Sequence, residues 1–358
     1  MINYKKFTYS FLLILALLIV FHFTVWNVYT KYVFPENFNI GDLGRMSYLK
    51  DSLSPRKNEF DLPKKHIEVY KWDGRPIDVL TLGDSFSNGG GNGKNTYYED
   101  YIASINDFEV LNIKQLTSND NYLNTIAVLN NSGFLKKTKV KYVLIESVER
   151  EAIRRFTMPT DLNLKMDDKD IEKKFQDSRN QFQGGPLAKE TINSFISNLN
   201  VNAFKYNVLY NFKDNAYGSQ VYKHTLKKDM FTAKAPNTLL TYKHDYKRLH
   251  FATKENVEIL NKNFNKLADV LAKKGIKLYF MPAVDKYNLY SGFIEDNKYP
   301  KSTFFEYLRV LPKKYIFIDT KEILLEELKK DKKDIYYSDD THWSYKASEA
   351  IFEKVKFD

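Results

Sequence analysis

The sequence predicts an α/β fold in which a central parallel sheet carries helices on both faces and one apolar helix precedes the sheet. Short apolar runs typical of buried strands occur at residues 77–82, 140–147 and 276–281. Between them lie segments with helical spacing of apolar residues, the clearest at residues 257–271, which Gly275 ends. Strands that alternate with helices indicate a parallel sheet whose strands are joined by helical crossovers.

The first element, within residues 1–30, is an uncharged apolar segment. With its flanks it reaches about 20 residues, the length that a helix needs to cross a bilayer. Lys5 and Lys6 precede it, which predicts a cytoplasmic N-terminus and an exported remainder. A cleaved signal peptide is the alternative, but the bulky Trp26 and Tyr29 follow where small residues would be needed, and they suit the membrane interface. We therefore predict an uncleaved single-pass anchor and a periplasmic or cell-surface domain.

Composition excludes several kinds of site. The chain has no cysteine, so it contains neither a disulfide nor a thiolate metal site. No cluster of metal ligands is evident in the sequence, and we predict neither a metal nor a cofactor. The net charge of +10 is accompanied by no nucleic-acid-binding motif, so we expect a solvated basic surface and no nucleic-acid partner. Attraction to anionic lipid or to an acidic polymer is the open alternative.

Three segments follow the anchor. Residues 31–74 hold three prolines, among them Pro35, and show little periodicity, which predicts a connector from the membrane to the domain. Residues 75–358 form the main predicted domain. Within it, residues 154–253 are polar, aromatic and charged, and include Gly184-Gly185-Pro186. We predict that this stretch is an insertion covering the sheet edge or a substrate groove.

The strand at residues 77–82 ends on Gly83-Asp84-Ser85. Gly83 lets the chain turn tightly, and a serine just past a core strand lies where open α/β sheets place their chemistry. The alternative is an ordinary turn in which Asp84 and Ser85 satisfy backbone donors. The glycine-rich residues 89–94 lack the spacing of a phosphate-binding loop, and we predict that they form a flexible rim of the site.

A nucleophilic serine needs a base in reach and an acid that orients the base. Of the six histidines, His342 is the best candidate, because Asp339 and Asp340 lie three and two residues before it. Either carboxylate can pair with the imidazole at this spacing. The alternative is a capping cluster for the closing helix, with Asp340 or Ser344 as the cap.

These blocks carry a family resemblance. Gly83-Asp84-Ser85-Phe86 and Asp339-x-x-His342 resemble the first and last blocks of the SGNH (GDSL-type) hydrolase superfamily. Asp340-Thr341-His342-Trp343 and residues 142–150, which end in Glu149-Arg150, are similar to the SGNH-like domain of the alginate O-acetyltransferase family. Two features differ: the Asp-x-His-Trp block follows the serine block, as in ordinary SGNH hydrolases, and the central glycine and Gly-x-Asn-Asp blocks are not evident.

The resemblance implies an SGNH/flavodoxin-like three-layer sandwich with a Ser-His-Asp relay. Ser85 is then the nucleophile and His342 the base. Asp340 is preferred over Asp339 as the acid because its spacing matches the alginate-type block, and the other carboxylate is expected to cap the following helix. The backbone N–H groups of Ser85 and Phe86 would bind the oxyanion, with a side-chain donor near Asn88 or residues 119–121.

Other residues near these blocks are candidates for oxyanion or substrate contacts. The candidates are Phe86, Asn88, Arg150 and Trp343. For Arg150 the alternative is a surface ion pair with Glu146 or Glu149, and for Trp343 it is packing against the last helix. A further group, Lys286, Tyr287 and Tyr290, follows a strand end and is a candidate lining of the groove, with ordinary packing of loop aromatics as the alternative.

The function implied by the resemblance is extracytoplasmic O-acyl transfer, most simply O-acetylation of a cell-envelope polysaccharide through an acyl-enzyme. Its partners would be an acyl donor, a polysaccharide acceptor and a multipass membrane acyltransferase that supplies the acyl group. The alternatives are an SGNH esterase that removes such groups, a teichoic-acid D-alanylation factor, and a non-enzymatic polysaccharide-binding scaffold.

Overall fold

The computed structural model describes residues 4–33, 40–56, 58, 60–91, 93–179 and 195–358. Parts of several stretches named above lie outside these residues. They include Pro35 of the predicted connector, Asn92 of the glycine-rich residues, and Gly184, Gly185 and Pro186 of the predicted insertion.

The described residues contain eight strands in two sheets. They are β1 Ile67–Glu68, β2 Val79–Leu82, β3 Val110–Ile113, β4 Tyr142–Val148, β5 Val221–Thr225, β6 Thr238–Tyr242, β7 Lys277–Ala283 and β8 Ile316–Phe317. Six strands form one parallel sheet in the order β1-β3-β2-β4-β7-β8, and β5 pairs with β6 in an antiparallel hairpin. The predicted parallel sheet is confirmed.

Helices cover both faces of the parallel sheet, as predicted. Those of the described chain are α1 Tyr4–Val25, α2 Lys31–Val33, α3 Asp42–Ser47, α4 Tyr98–Asn106, α5 Tyr122–Asn131, α6 Phe134–Lys137, α7 Glu149–Phe156, α8 Asp168–Asp177, α9 Asn198–Leu209, α10 Lys243–Lys247, α11 Lys254–Ala272, α12 Lys286–Tyr290, α13 Phe304–Arg309, α14 Thr320–Lys329 and α15 Tyr345–Lys354. On one face α15 packs between α4 and α14, and on the other α11 packs against α5 and α7.

Burial of the central strands explains why they read as continuous apolar runs. Every residue of β2 and β3 is buried, as is every residue of β4 after Tyr142. A parallel sheet with helices on both faces has no solvent-facing side, so its strands lose the alternation of half-exposed strands. The sequence prediction missed β3, because Asn112 interrupts its short apolar run.

The order of the strands places a crevice between β2 and β4. From β2 the chain crosses to β3 on one side of it, and then returns past β2 to β4 on the other side. Open α/β sheets bind ligands at such a switch point, at the carboxyl ends of the strands. Ser85 follows β2 and Arg150 follows β4, so both predicted residues are delivered to this crevice.

The N-terminal helix projects from the α/β domain. Residues Tyr4–Val33 are helical throughout, with a π-helical turn at Trp26–Thr30, and this segment is long and apolar enough to cross a membrane. Its side chains are exposed as far as Val20. Its C-terminal end packs against α9.

The connector is more structured than its sequence suggests. It forms α3 and the edge strand β1, and α3 packs against the hairpin β5–β6 of the predicted insertion. On its other side, the hairpin meets α12, which follows β7. The described connector therefore lies between the anchor and the loops at the carboxyl edge of the sheet.

Candidate active site

The turn that carries Ser85 is set by a close backbone approach. Gly83 follows β2, and a Cβ at this position would lie 2.2 Å from Ser87 Oγ and 2.3 Å from Glu146 Oε2. Only glycine fits without displacing these groups. Residues Ser85–Asn88 then form a 3₁₀ turn, and its N-cap Asp84 accepts a hydrogen bond from the Phe86 N–H at 3.3 Å. The Ser85 side chain emerges exposed.

The structure brings together the serine, the histidine and one of the two candidate acids. Ser85 Oγ lies 2.7 Å from His342 Nε2, and His342 Nδ1 lies 2.7 Å from Asp340 Oδ1. With Nδ1–H donated to the carboxylate, Nε2 can accept the serine proton. Asp340 Oδ1 also accepts the backbone N–H of His342 at 3.0 Å, which fixes the loop around the ring.

The charges of this group are coupled. Burial on its own would lower the pKa of His342, but the charge and the hydrogen bond of Asp340 outweigh burial and raise that pKa above its ordinary value. Burial likewise opposes ionisation of Asp340, yet His342 and Arg56 together lower its pKa to about 2. The pair is therefore arranged to stabilise an imidazolium.

Asp339 has a different role from the one predicted for the second carboxylate. It does not cap α15, because Ser344 does so by accepting the N–H of Lys346 at 3.1 Å. The backbone carbonyl of Asp339 accepts the N–H of Gly44 in the first turn of α3 at 2.8 Å. Asp339 Oδ2 accepts the backbone N–H of Gly41 at 2.9 Å. Asp339 thus bonds to the connector, whereas Asp340 is the carboxylate that pairs with the imidazole.

Arg56 links the two neighbouring carboxylates, and sequence reasoning missed it. Its Nη1 donates to Asp339 Oδ2 at 3.1 Å and its Nη2 to Asp340 Oδ2 at 3.2 Å. Nε donates to the carbonyl of Gly91 at 2.6 Å, and the guanidinium lies 4.5 Å from the centre of the Tyr337 ring. The side chain is 1% exposed, so this cation neutralises two buried acids.

Asp42, at the start of α3, holds the same loop from the other side. Its Oδ1 accepts the backbone N–H of Thr341 at 2.8 Å, and its Oδ2 accepts the Thr341 hydroxyl at 2.5 Å. Burial, reinforced by the charge of Asp340, raises the pKa of Asp42 to about 6. Two residues of the connector, Asp42 and Arg56, therefore clamp the loop that carries the acid and the base.

Asp42, Asp340 and His342 are also the described residues that come closest to a metal site. One donor atom of each lies within 4.8 Å of the others. Each donor already has a hydrogen-bond partner in the chain: Thr341 for Asp42, the imidazole for Asp340, and Ser85 for the free ring nitrogen. The arrangement is thus accounted for without an ion.

Gly90 packs flat against the imidazole. A Cβ on Gly90 would lie 2.3 Å from His342 Cδ2 and 2.5 Å from Nε2. The N–H of Gly90 donates to the Ser85 carbonyl at 2.9 Å, and the Gly91 carbonyl accepts from Arg56. The glycine-rich segment, predicted as a flexible rim, is therefore in close contact with the base.

Lys286, Tyr287 and Tyr290 do not line an open groove, and the alternative of packing describes their positions. All three are buried. Lys286 Nζ donates to the carbonyls of Tyr337, Ser338 and Asp340 at 2.8, 2.9 and 3.1 Å, and burial lowers its pKa to about 8. Polar and aromatic residues after a strand suggested a rim, but this cation supports the loop from beneath.

Arg150 lies beside the site, but its ion-pair partners differ from the predicted alternative. Its Nη1 contacts Asp285 at 2.6 Å and Asp245 at 3.4 Å, not Glu146 or Glu149. The side chain is 12% exposed, so this is not a surface pair. Residues after β4 and β7 meet here because both strands end at the same edge of the sheet.

Of the remaining candidates, two pack in the interior. Trp343 is buried, and its ring lies 4.6 Å from that of Phe86 in an edge-to-face contact. The Phe86 ring also lies 4.9 Å from the imidazole, so both aromatics support His342. Trp343 is therefore a packing residue, as the alternative interpretation held, and its buried position does not suit a substrate contact.

The candidate oxyanion donors differ in availability. The Phe86 N–H is directed to Asp84, and Asn121 caps α5 through its side-chain oxygen while its Nδ2 donates to Thr160 at 3.0 Å. Asn88 is exposed one turn beyond Ser85. Asn88 therefore stays the side-chain candidate, whereas Asn121 is committed to the fold.

Glu146 is a second residue that sequence reasoning missed. Its Oε2 accepts the backbone N–H of Asp84 at 2.9 Å, directly before the serine. Burial, with the charge of Asp84 adding to it, raises the pKa of Glu146 well above its ordinary value. The available signal was a carboxylate inside the apolar strand β4.

Asp84 in turn accepts from Val148 N–H at 2.9 Å and from Arg155 at 2.8 Å, which locks the turn to β4.

No protein-family model matches the chain, and a search of curated proteins gives no significant match.

Proposed function

We propose that the protein is a membrane-anchored, extracytoplasmic serine O-acyltransferase of the SGNH type that acetylates a cell-envelope polysaccharide. The observation that carries this proposal is the hydrogen-bonded series Ser85 Oγ, His342 Nε2, His342 Nδ1 and Asp340 Oδ1, with 2.7 Å at each inter-residue step. A serine, an imidazole and a buried carboxylate in this order are the parts of nucleophilic acyl transfer.

The chemistry follows from these positions. Ser85 attacks the carbonyl carbon of an acyl donor while His342 Nε2 takes the hydroxyl proton. Asp340 holds the imidazole in the required tautomer and stabilises the imidazolium. The imidazolium then protonates the leaving group of the donor, and the acyl group stays on Ser85 as an ester. In the second half, His342 deprotonates a sugar hydroxyl that attacks the ester, and the imidazolium returns this proton to Ser85 Oγ as the acyl–serine bond breaks.

The fold supports the SGNH part of the proposal. Without the two-residue edge strand β1, the parallel strands run in the order 2-1-3-4-5, which is the flavodoxin-like order. Ser85 follows the first of these strands, and His342 directly precedes the closing helix α15. Both positions agree with the blocks on which the family resemblance rests.

The anchor part of the proposal is supported by packing at the end of α1. Val25, Thr30 and Val33 are buried, and Val25 and Val33 belong to an apolar cluster with Ala203 and Tyr206 of α9. A signal peptidase cut after the apolar core would remove partners of this cluster. Retention of the helix keeps the cluster intact, and Lys5 and Lys6 before it favour a cytoplasmic N-terminus.

Hydrolysis is the second candidate function, and one observation favours it. Ser85 is exposed, so water reaches the position of the acyl-enzyme in the free protein. Transfer requires the acceptor to hold water away from that ester. Esterase and transferase therefore share every residue described above and differ in what attacks the ester.

An acceptor assay tests the proposal. The full-length protein is incubated with p-nitrophenyl acetate, with and without an envelope oligosaccharide, and the sugar is examined by mass spectrometry. We expect acetylated oligosaccharide with wild type and none with Ser85→Ala. Release of acetate alone at an unchanged rate would identify an esterase. If several donors give neither an acyl-enzyme nor turnover, the proposal of an enzyme is wrong and the polysaccharide-binding scaffold is favoured.

A further inference from the structure

Helix α9 exposes an apolar face. Val201, Phe204 and Val208 are 39–46% exposed, and their spacing of three and four residues places them on one side of the helix. We call these three residues the α9 face. Phe195, Ile196 and Phe212 next to it are exposed as well. Soluble domains seldom leave a contiguous patch of this kind to water, and such patches mark interaction surfaces.

The opposite side of α9 is fixed to the end of the anchor helix. Ala203 and Tyr206 are buried in the apolar cluster that includes Val25. Asn200 Nδ2 donates to His22 Nδ1 at 3.2 Å, and the Phe204 ring meets the Phe21 ring at 5.5 Å. The α9 face therefore has a defined position along α1.

That position is the outer boundary of the hydrocarbon layer. An α-helix rises about 1.5 Å per residue, so residues 7–25 span roughly 30 Å, the thickness of a bilayer core. With Lys5 and Lys6 at one headgroup layer, Phe21 and His22 fall in the last turn before the other. Phe204, in contact with Phe21, lies at the same depth.

The charges around α9 suit a lipid headgroup layer. Residues 195–213 contain Lys205 and Lys213 and no acidic residue. Lys31 and Lys50 lie nearby on the anchor side, with Lys50 Nζ 4.9 Å from the Tyr32 ring centre. Lysines and tyrosines beside an apolar face are typical of helices that lie in the plane of the interface.

We propose that the α9 face is embedded in the interfacial layer of the same bilayer that α1 crosses, with phospholipid as its occupant. The inference rests on the anchor in the proposed function. It adds a second point of membrane attachment beside α1, which holds the α/β domain against the surface. The domain then presents its crevice at one height above the lipid.

Spin labels on single cysteines test this. The chain has no cysteine, so each introduced cysteine is the only labelling site. Leu15→Cys reports on the middle of α1, Phe204→Cys and Val208→Cys on the α9 face, and Val310→Cys is an exposed apolar control in the loop before β8. Full-length protein is placed in nanodiscs of phosphatidylethanolamine and phosphatidylglycerol, and each label is exposed to oxygen and to a water-soluble nickel chelate.

Lipid contact raises collision with oxygen and lowers collision with the chelate. The measured quantity is the ratio of the oxygen collision rate to the chelate collision rate. We expect this ratio at Phe204 and Val208 to resemble the ratio at Leu15 and to exceed the ratio at Val310 severalfold. Water-like values at Phe204 and Val208 with a lipid-like value at Leu15 would overturn the inference and leave the anchor standing. A water-like value at Leu15 would overturn both.

Shielding from both reagents at the α9 face would also overturn the inference, because it indicates a covering protein, such as a second copy, instead of lipid. Unchanged thermal melting of each labelled variant checks that the fold is intact. A second variant, Phe204→Ser with Val208→Ser, should give water-like values at a label on Asn211, which is exposed at the end of α9. If the label on Asn211 already gives water-like collision values in the protein without the two serine substitutions, α9 does not lie at the interface.

Discussion

At the scale of residues, the site combines an exposed serine hydroxyl with buried charged groups. Ser85 is exposed, whereas Asp340 and the cation that balances it, Arg56, are almost fully buried. Burial of an acid is costly unless a cation or several donors compensate it. Here His342 and Arg56 compensate one carboxylate from two sides, which keeps Asp340 ionised at neutral pH and fixed toward the imidazole.

The first residue-scale prediction concerns pH. Because Asp340 raises the pKa of His342 above 6.5, the base loses its proton only above that pH. The ascending limb of kcat/KM should therefore have its midpoint above pH 6.5. In Asp340→Asn the raising charge is gone, so the midpoint should move to lower pH while the plateau falls by about ten-thousandfold.

Asp339→Asn is the matched control, since Asp339 lies one residue away and bonds Gly41 and Arg56 instead of the imidazole. Its pH midpoint should stay in place and its activity should exceed that of Asp340→Asn. Loss of activity in Asp339→Asn with activity spared in Asp340→Asn would show that the acid is Asp339 and that the assignment to Asp340 is wrong.

The second residue-scale prediction concerns Arg56 as a positioning residue. Arg56→Met leaves two buried carboxylates without their cation, and breaking a buried pair in this way costs about 3–5 kcal/mol. We expect a lower melting temperature and a drop in kcat of about 10- to 100-fold, the loss seen when a hydrogen-bond partner that orients a metal ligand is removed.

Adding Asp339→Asn to Arg56→Met removes one of the unbalanced charges and should recover part of the melting temperature. Recovery of melting without recovery of kcat separates positioning from folding, because Asp340 still lacks its donor. Wild-type kcat in Arg56→Met would show that Asp340 needs no partner beyond His342.

At the scale of elements, the site is an assembly of turns that follow different strands. The turn after β2 carries Ser85, and the loop before α15 carries Asp340 and His342. Each is fixed by buried groups from other elements: Glu146 in β4 holds the serine turn, and Lys286 at the start of α12 holds the acid–base loop. The geometry of 2.7 Å contacts thus depends on four separate elements.

Gly90 gives a prediction at this scale. In Gly90→Ala the new methyl would meet His342 within 2.5 Å, so the ring or the glycine loop must shift. Displacement by about 1 Å near reacting atoms costs about a hundredfold in rate, and we expect that loss in kcat with little change in melting temperature. Gly292→Ala is the control, since nothing lies within 4 Å of its new methyl. Equal activity of the two variants would contradict the close packing on His342.

The sequence was informative where function depends on neighbouring positions. The serine turn follows its strand directly, and Asp340 lies two residues before His342, so both were predictable from local pattern. Arg56 was not, because it is 284 residues from Asp340 and nothing around it marks a buried cation. Tertiary folding alone creates that contact.

For several candidates the sequence left two interpretations open. Lys286, Tyr287 and Trp343 were candidates for groove or substrate contacts, with packing as the alternative, because they follow a strand end or belong to a candidate block. They are near, but they are buried, since a lysine can satisfy three carbonyls and aromatic rings fill space under a loop. Sequence pattern located their neighbourhood and gave no information on which way they face.

At the scale of the whole molecule, the anchor and the α/β domain are joined by packing. Val25 and Val33 are buried against α9 and the connector, and Asp42 and Arg56 of that connector reach the acid–base loop. A mature chain cut within residues 22–30 would lose part of this packing. The C-terminal end of α1 and the site are therefore linked through the connector.

This connection gives a prediction of topology. We expect the purified protein to retain the apolar segment by intact-mass measurement, with no cut before Lys31. A reporter fused after Asp358 should be active only when it is of the type that works outside the cytoplasm. A mass that corresponds to loss of the apolar segment, or a cytoplasmic reporter signal, would contradict the anchor.

The central claim is that Ser85 is a nucleophile activated by His342, and active-site labelling measures it most directly. A fluorophosphonate probe reacts with activated serines, and Ser85 is exposed enough to receive it. We predict labelling of wild type, with the modified peptide containing Ser85, none in Ser85→Ala, and a similar loss in His342→Ala because the members of such a relay act as a unit. Thermal melting should be unchanged in Ser85→Ala, since an exposed hydroxyl contributes little to the core. Labelling that persists in Ser85→Ala, or a folded wild type that never reacts, would contradict the account.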